Sequence, residues 1–235
     1  AQIFPSDHII EIGPGIGTLT VRILKATPHV TGIETDTRFQ PILEKIHTIH
    51  PEFRYRFEDV RTSNLEEVAE HQKYSIVSNL PYQISSQLFR MCWGGAFPPQ
   101  RMTVMIQKEV AKRIIATPGS MNLLALSVQI FATPLWIRDV PSTAFFPKPD
   151  VESAIVRMDR RERPLVPDSE ALLRIARMGF SGKRKQLHNS LSNGLHCSAG
   201  TAKHYLTAAG IPEMSRPQEL SIEQWQRLLD TIPKI

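Results

Sequence analysis

The stretch Glu11-Ile12-Gly13-Pro14-Gly15-Ile16-Gly17 decides how the fold of this chain is interpreted. It follows a short apolar run at 8–12 and precedes a segment at 19–24 with helical character. Glycine permits a tight turn and lets backbone amides approach a ligand closely. The G-x-G-x-G spacing differs from the G-x-G-x-x-G of dinucleotide sites, which docks a pyrophosphate on a helix N-terminus. We therefore predict a strand, a ligand-binding loop (Gly13, Gly15 and Gly17) and a helix.

Carboxylate side chains stand beside this loop and at the ends of the next two predicted strands. Glu11, directly before the loop, suits the cationic end of a ligand that carries an amino acid. Glu34 ends the second strand, where a carboxylate can accept both ribose hydroxyls. Asp59 follows the third strand, where an acceptor can read an adenine amino group. A glycine loop alone fits a structural turn equally well, but with these acids it indicates a nucleoside cofactor.

The run Asn79-Leu80-Pro81-Tyr82 closes the fourth predicted strand, at the edge where open α/β sheets bind ligands. The lone pair of an exocyclic base amine is delocalised into the ring. The Asn79 amide oxygen and the Leu80 carbonyl can accept hydrogen bonds from that amine and localise its lone pair. Pro81 stiffens the turn and has no competing N–H, and Tyr82 can stack on a flipped-out base. This predicts a site for the amino group of a nucleic-acid base; the alternative is a simple strand-end turn.

The order of predicted elements indicates an α/β fold. Strands alternate with helices, which implies a parallel sheet covered on both faces. Segments 135–140 and 151–158 flank a Pro-rich loop with no room for a helix, so they predict a reversed hairpin at the sheet edge. We expect a Rossmann-like, class I methyltransferase sheet in residues 1–160, by analogy of fold. A charged linker at 159–167 and a small all-α domain at 168–235 complete the prediction.

Composition limits the classes of partner. The 235 residues carry a formal net charge of +5, which fits a polyanion such as nucleic acid as well as a mildly basic enzyme. No apolar run approaches the roughly 18 residues of a membrane span, and no signal-peptide pattern opens the chain. Cys92 and Cys197 lie far apart without metal-ligand spacing. We expect a cytoplasmic protein that binds neither a membrane nor a metal.

Several stretches together resemble the rRNA adenine N6-dimethyltransferase family, whose bacterial members modify the small ribosomal subunit. Residues 11–17 resemble its cofactor loop, and residues 79–82 resemble its catalytic motif. The longer stretches make the resemblance more specific, because they extend it over nearly the whole chain. These stretches are QKEVAKR (107–113), AFFPKPDVESAIVR (144–157) and FSGKRKQLHNSL (180–191).

The resemblance implies a reaction, a cofactor and a partner. The enzyme would use S-adenosyl-L-methionine for two successive methyl transfers to N6 of each of two adjacent adenosines. Those adenosines would lie near the 3′ end of small-subunit rRNA, in an immature 30S particle. The protein would act in ribosome biogenesis as a cytoplasmic monomer, and its helical domain would recognise rRNA.

The resemblance also assigns roles to single residues. Tyr82 and Phe145 would flank the target base, although an aromatic residue in a Pro-rich loop is more often structural. The basic run Lys183-Arg184-Lys185 would contact rRNA phosphates; by itself such a run is usually a solvated face. The positive end of the helix dipole lies at the helix start, where cations are unfavourable. Basic residues at this position therefore favour binding of an anionic ligand. The cofactor contacts implied by the family are Gly13, Glu34, Asp59 and Asn79.

Three departures from the family pattern accompany the resemblance. The family carries a further N-terminal segment with a Gly-Gln-x-Phe-Leu stretch that closes over the cofactor, and we expect it to be missing here. Glu58 stands where the family usually has glycine before the acid. Lys148 replaces a common proline. These departures bear on whether the chain is fully active and on the exact position of Asp59. They do not change the resemblance to the family.

Three other functions remain as alternatives. Antibiotic-resistance relatives that methylate large-subunit rRNA also contain Phe-x-Pro-Lys-Pro, as in 145–149, whereas 107–113 and 183–191 favour the small-subunit enzyme. A non-catalytic nucleic-acid-binding or assembly factor could use the same scaffold, but the intact cofactor loop argues against it. DNA adenine methyltransferases more often contain Asp/Asn-Pro-Pro-Tyr, so Leu80 disfavours that class.

Overall fold

The computed structural model describes residues 1–182 and 185–233. Within these residues one seven-stranded sheet is formed. Its strands are β1 His8–Ile12, β2 Val30–Glu34, β3 Arg54–Phe57, β4 Tyr74–Asn79, β5 Arg101–Gln107, β6 Ala132–Val140 and β7 Ser153–Arg160. The helices are α1 Thr18–Leu24, α2 Gln40–Ile49, α3 Leu65–Val68, α4 Ser85–Gly94, α5 Lys108–Ile114, α6 Leu123–Gln129, α7 Ser169–Gly179, α8 Leu187–Gly194, α9 Ala199–Ala208 and α10 Ile222–Thr231.

The sheet has the strand order β3-β2-β1-β4-β5-β7-β6. The first five of these strands run parallel, and β7 pairs antiparallel with β5. The predicted parallel sheet with a reversed strand is therefore confirmed. Because β7 runs backwards, its first residue, Ser153, pairs with Gln107, the last residue of β5. The loop between β6 and β7 thus emerges beside the carboxyl ends of the parallel strands.

Burial explains why the central strands form where they do. Ile9, Ile10 and Ile12 of β1 are all buried, as strands covered on both faces require. Phe53 lies directly before β3 and packs with Leu43 of α2 in the same apolar cluster. These contacts hold β1, β2 and β3 in register, so their carboxyl ends meet at one edge.

The structure differs from the sequence prediction in several elements. The hairpin strands predicted at 135–140 and 151–158 are β6, Ala132–Val140, and β7, Ser153–Arg160. The helical spacing of residues 38–49 predicts a helix from Arg38, but a 3-10 turn at Thr37–Phe39, capped by Asp36, comes first and α2 begins at Gln40. The short helix α3 was not predicted; the Asn64 side chain caps it by accepting the Glu66 N–H. Asp159, assigned to the linker, belongs to β7, because it pairs opposite Arg101 and forms an ion pair with that side chain.

The chain divides into two compact units. One comprises residues 1–111 and 133–160, and the other comprises residues 112–132 and 161–235. Residues 112–132 group with the second unit because Met121, Leu126 and Ile130 share one apolar cluster with Leu172 of α7 and Trp225 of α10. The domain division at 1–160 and 168–235 stays a prediction, and these compact units differ from it over 112–132. Within the described residues no helix is long and apolar enough to cross a membrane.

Gly179, at the end of α7, sets the spacing of the helical unit. A Cβ at this position would lie 2.5 Å from Trp225 Cη2 and 2.9 Å from Leu187 Cδ1. Trp225 is fully buried and cannot move aside freely. We predict that Gly179→Ala lowers the free energy of unfolding by about 1–3 kcal/mol, as overpacking of a core does. Urea unfolding followed by circular dichroism measures this change.

Gly200, in α9, provides the matched control for this substitution. A Cβ there would meet only the Ser198 Oγ, at an ordinary 3.6 Å. Gly200→Ala is expected to leave stability unchanged or to raise it by up to about 1 kcal/mol, because alanine favours helix more than glycine does. Equal stabilities of the two variants would contradict the packing argument.

Candidate functional site

The ends of β1, β2 and β3 and the turn after β4 enclose a cavity of about 270 Å³. Such a cleft at the carboxyl edge of a parallel sheet is the usual ligand position in open α/β folds. It brings together residues that the sequence placed on four separate strands. The cavity lining includes Gly13, Glu34, Glu58, Asp59, Pro81 and Ile84.

The glycine loop turns sharply between β1 and α1. Gly13, Gly15 and Gly17 all have positive φ, of 69°, 54° and 74°, which glycine adopts without strain. The Gly13 N–H donates to the Ile33 carbonyl of β2 at 2.8 Å, so the loop starts against the neighbouring strand. A Cβ at Gly17 would overlap the Ile46 side chain of α2. Both conformation and space therefore require glycine at Gly17.

Glu34 holds the glycine loop to the end of β2. Its Oε2 accepts the Gly15 N–H at 3.0 Å. Its Oε1 accepts the N–H groups of Thr35 at 2.8 Å and Asp36 at 3.0 Å. Three backbone donors thus fix this buried carboxylate at the cavity wall, and its remaining lone pairs are the ones that a ligand can use.

Asp59 is engaged by a neighbouring cation. The Arg61 guanidinium donates to both carboxylate oxygens, with Nε 3.0 Å from Oδ1 and 2.9 Å from Oδ2. These bonds, together with the Arg61 backbone N–H, lower the pKa of Asp59 to about 2. Asp59 is therefore ionised at neutral pH. A ligand amine that binds it shares it with Arg61 or displaces that side chain.

Two other carboxyl groups have an oxygen without a partner among the described residues. Glu11 Oε2 and Glu58 Oε1 are both inaccessible to solvent, and neither has a donor in good hydrogen-bond geometry there; the hydroxyl of Thr20, which also has no such partner, is a neighbour of the Glu11 carboxyl group. Burial raises the pKa of Glu11 to about 7; the Thr20 hydroxyl acts in the opposite direction, and the Glu34 charge adds to the rise. A buried acceptor without a donor is rare in folded proteins, and it marks a place where a bound group can donate.

The turn after β4 lies directly against the glycine loop. Asn79 is exposed, whereas Leu80 is buried and its N–H donates to the Met105 carbonyl of β5 at 3.1 Å. A Cβ at Gly13 would lie 3.6 Å from Pro81 Cδ and Cγ. Leu80 is therefore anchored to β5, while the neighbouring Asn79 is exposed at the end of β4 and Pro81 lines the cavity.

Hydrogen bonds fix Tyr82 at its backbone carbonyl and at its side-chain hydroxyl. The Ser85 hydroxyl donates to the Tyr82 carbonyl at 3.1 Å, which fixes its backbone at the start of α4. The Tyr82 and Ser153 hydroxyl oxygens lie 2.8 Å apart and share a hydrogen bond. Tyr82 itself is half-buried, whereas Ser153 is fully buried. The side chain is thus tied to the first residue of the reversed strand.

Phe145 lies in the β6–β7 loop, directly after the 3-10 turn Ser142–Ala144. The ends of this loop are fixed by Lys108, whose Nζ lies 2.9 Å from Asp139 Oδ2 and 2.8 Å from Glu152 Oε2. Phe145 is half-buried. Across residues 1–182 and 185–233 no ring contact joins it to Tyr82. The two aromatic residues thus belong to one edge of the sheet, and no stacking of their rings is observed among the described residues.

Comparison with known proteins places this arrangement in a family. Residues 1–234 match the ribosomal RNA adenine dimethylase family. The chain belongs to this family. It is an rRNA adenine dimethyltransferase, which confirms the enzyme class that the sequence motifs predicted.

The sequence of this dimethylase aligns with those of its relatives over most of the length of both chains. The chain is 36% identical over 231 residues to the ribosomal RNA small subunit methyltransferase A of Dehalococcoides mccartyi, covering 97% of this chain and 79% of the relative. It is 34% identical to the protein of the same name from Clostridium acetobutylicum, covering 99% of this chain and 86% of the relative. Identity at this level over nearly the whole chain supports family membership independently.

Solved structures confirm the dimethylase fold. The dimethyladenosine transferase from Plasmodium falciparum superposes with a TM-score of 0.78 at 24% identity, covering 97% of this chain and 90% of that one. The 23S rRNA methyltransferase ErmE gives 0.76 at 24% identity, covering 98% and 93%. The fold is therefore the class I methyltransferase sheet with a small helical part, as predicted.

The geometry groups some of the predicted site residues of this dimethylase and separates others. Gly13, Glu34, Asp59 and Pro81 share the cavity. The other predicted residues are not in its lining: Glu11, Gly15, Gly17, Asn79, Leu80, Tyr82 and Phe145. Lys183 and Arg184 lie outside the described residues, and Lys185 is exposed. Among the described residues no group of three or more His, Cys, Asp or Glu side chains is arranged to hold a metal ion.

Two residues of the dimethylase site were not predicted as functional. Ser153 was noted only as part of a long motif, because its role depends on the β5–β7 register, which the sequence does not reveal. Arg61 follows Asp59 in a turn, and an arginine two residues after an acid carries no signal in itself. Ser153 is identified by its hydrogen bond to Tyr82, and Arg61 by its hydrogen bonds to Asp59.

Proposed function

We propose that this enzyme transfers methyl groups from S-adenosyl-L-methionine to N6 of two adjacent adenosines near the 3′ end of small-subunit rRNA. Relatives that are more than a third identical carry the name ribosomal RNA small subunit methyltransferase A, which supports the small subunit as the substrate. The observation that carries the proposal is the approach of Pro81 to Gly13, 3.6 Å from a Cβ built there. It brings the cofactor loop and the Asn79–Tyr82 turn to the same edge.

The chemistry of the cavity fits S-adenosyl-L-methionine, which supplies a methyl group on a sulfonium centre. Its lining includes Glu34 and Asp59, two carboxylates that can accept hydrogen bonds from the hydroxyl and amino groups of a nucleoside. The unpartnered Glu11 oxygen provides an acceptor for an ammonium group. No atom lies within 4 Å of a Cβ built at Gly15, so a ligand has room to approach the loop there. We assign Glu11, Gly13, Gly15, Gly17, Glu34, Asp59 and Asn79 to cofactor binding.

Asn79 and Leu80 act on the target amine in this proposal. The Asn79 amide oxygen and the Leu80 carbonyl accept hydrogen bonds from N6 and draw its lone pair out of conjugation with the ring. The Leu80 N–H is already bonded to β5, so the turn keeps its shape when the base enters. Positioning of the amine provides most of the acceleration, because a methyl group on sulfur is already activated. No general base is needed before the transfer.

Tyr82 and Phe145 hold the flipped-out adenine by stacking. An aromatic face binds any base, at about 1–3 kcal/mol per stacked base in single-stranded nucleic acids. Tyr82 follows β4 and Phe145 lies in the loop that leads into β7, so both belong to the edge of the sheet at which the base would enter. Pro81 stiffens the turn that presents Tyr82, since its ring fixes the backbone.

The helical domain at 168–235 is proposed to recognise rRNA, with Lys183, Arg184 and Lys185 on the phosphates. The net charge of +5 supports a polyanionic partner. The exposed side chain of Lys185 is available for such a contact. We propose the immature 30S particle as the substrate and a cytoplasmic monomer as the active form.

Methylation of ribosomal particles with a labelled cofactor tests the proposed function. Unmodified 30S and 50S particles are incubated separately with the enzyme and S-adenosyl-L-methionine labelled with tritium in the methyl group. We expect label in 30S only, on two adjacent adenosines after mapping by nuclease digestion and mass spectrometry. Label in 50S would instead identify the large-subunit, resistance-type activity. An absence of label in both would contradict catalysis by this chain.

A further inference from the structure

The hydrogen bond between Tyr82 and Ser153 connects the catalytic turn to the reversed strand of the sheet. Ser153 is the first residue of β7, is fully buried, and pairs opposite Gln107 at the end of β5. Its Oγ lies 2.8 Å from the Tyr82 Oη. Among the hydrogen bonds of the described residues, it is the one that joins β7 to the Asn79–Tyr82 turn.

The backbone around Ser153 is fixed on the side of the β6–β7 loop. The Lys108 N–H donates to the Glu152 carbonyl at 3.0 Å, and the Lys108 Nζ bonds to the Glu152 carboxylate at 2.8 Å. The β5–β7 pairing fixes the following residues. Ser153 therefore presents its hydroxyl from a rigid position, as a group that orients another side chain must.

We propose that Ser153 is a positioning residue that holds the Tyr82 ring in place to stack on the target adenine. This inference rests on the proposed role of Tyr82. A hydrogen bond at the phenol oxygen prevents the side chain from turning about χ1, while the faces of the ring stay free for a base. Without the bond, Tyr82 samples other rotamers, and the bound amine is less often in line with the methyl group.

The chemistry of the phenol also favours this role. A tyrosine hydroxyl beside a base pocket needs a partner, because a polar group that loses water without replacement is destabilising. Ser153 satisfies that need from inside the sheet. The base then meets an aromatic face and not a competing hydroxyl, which suits stacking on any orientation of adenine.

A double-mutant cycle on methylation of unmodified 30S particles tests the proposal. Ser153→Ala and Tyr82→Phe each remove one partner of the bond. We expect each to lower kcat about tenfold, the scale of one hydrogen bond, with KM for 30S particles changed less than about twofold. The double variant is expected to match either single variant, because both remove the same interaction.

Two further variants separate the possible outcomes. Ser127→Ala removes another buried serine hydroxyl, which donates to the Leu124 carbonyl inside α6, and should leave kcat unchanged. Tyr82→Ala should lower kcat by about 10- to 100-fold if Tyr82 stacks on the base. Wild-type kcat in Tyr82→Ala would overturn the role of Tyr82 itself. A loss in Tyr82→Ala together with wild-type kcat in Ser153→Ala, or with multiplying effects in the double variant, would overturn the role of Ser153 alone.

The test can also be carried out if Ser153→Ala is too unstable to purify. If Ser153→Ala fails to fold, Tyr82→Phe removes the same bond by deleting one oxygen from a half-buried ring. A Tyr82→Phe variant with wild-type kcat would then overturn the proposal. A tenfold loss in that variant with unchanged thermal unfolding would support it.

Discussion

Asn79→Ala is expected to lower the rate of methyl transfer by about 10²–10³-fold or more, the loss seen when one preorganised hydrogen-bonding group is removed from an active site. The side chain is exposed, and Leu80 beside it is anchored to β5 through its own backbone. The fold should therefore be unaffected. Single-turnover methylation of 30S particles measures the rate, and thermal unfolding checks the fold.

Two control variants make the Asn79 result specific. Asn79→Asp keeps an acceptor oxygen and should retain more activity than the alanine variant if acceptance from N6 is the essential role. Gln72→Ala removes an exposed amide before the amino end of β4, at the opposite edge of the sheet, and should be fully active. Activity of Asn79→Ala within tenfold of the wild type would contradict the proposed mechanism.

The local pattern of the sequence predicted the parallel part of the sheet because burial of both faces leaves a clear signal. The apolar runs of β1 and β4 end at Gly13 and Asn79, and both strand ends lie where the pattern placed them. The short helix α3 gave no such signal, since four residues show no helical period. Residues 112–132 joined the helical unit through contacts that are distant in sequence, which local patterns do not contain.

The sequence predicts which residues lie at the strand ends around the site, but not the contacts that their side chains make. Glu34 and Asp59 were expected at one edge because a parallel sheet gathers the ends of its strands there, and both line the same cavity. The bond of Asp59 to Arg61 and that of Tyr82 to Ser153 depend on side-chain rotamers and on strand register. Neither quantity follows from residue types alone, so these contacts appear only in the folded chain.

The buried carboxyl group of Glu11 should make stability depend on pH. Its side chain is 1% exposed, and burial raises its pKa from 4.5 to about 7. Between these two values the folded protein binds a proton that the unfolded chain has lost. The contribution is fully present below pH 4.5 and is lost as pH rises through 7. A shift of this size corresponds to about 3 kcal/mol of folding free energy.

Glu11→Gln is expected to remove this dependence, because the amide stays neutral. From acid pH to pH 8, the stability of the variant relative to the wild type should rise by about 3 kcal/mol. Urea unfolding at a series of pH values measures the difference. Glu52→Gln changes an exposed acid and should show no such rise. A constant difference between Glu11→Gln and wild type across this range would contradict a raised pKa.

Glu11→Gln should weaken cofactor binding although it raises stability at neutral pH. These opposite effects distinguish a functional role of Glu11 from a structural one. If the Glu11 carboxylate accepts from the ammonium group of S-adenosyl-L-methionine, its loss lowers affinity by about 10- to 100-fold, as for a hydrogen bond to a charged group. Isothermal titration at pH 7.5 measures this loss. A variant that is more stable and binds as tightly as the wild type would show that Glu11 has another partner. A variant that is more stable but binds weakly would show that the buried charge is kept for the ligand, at the expense of stability.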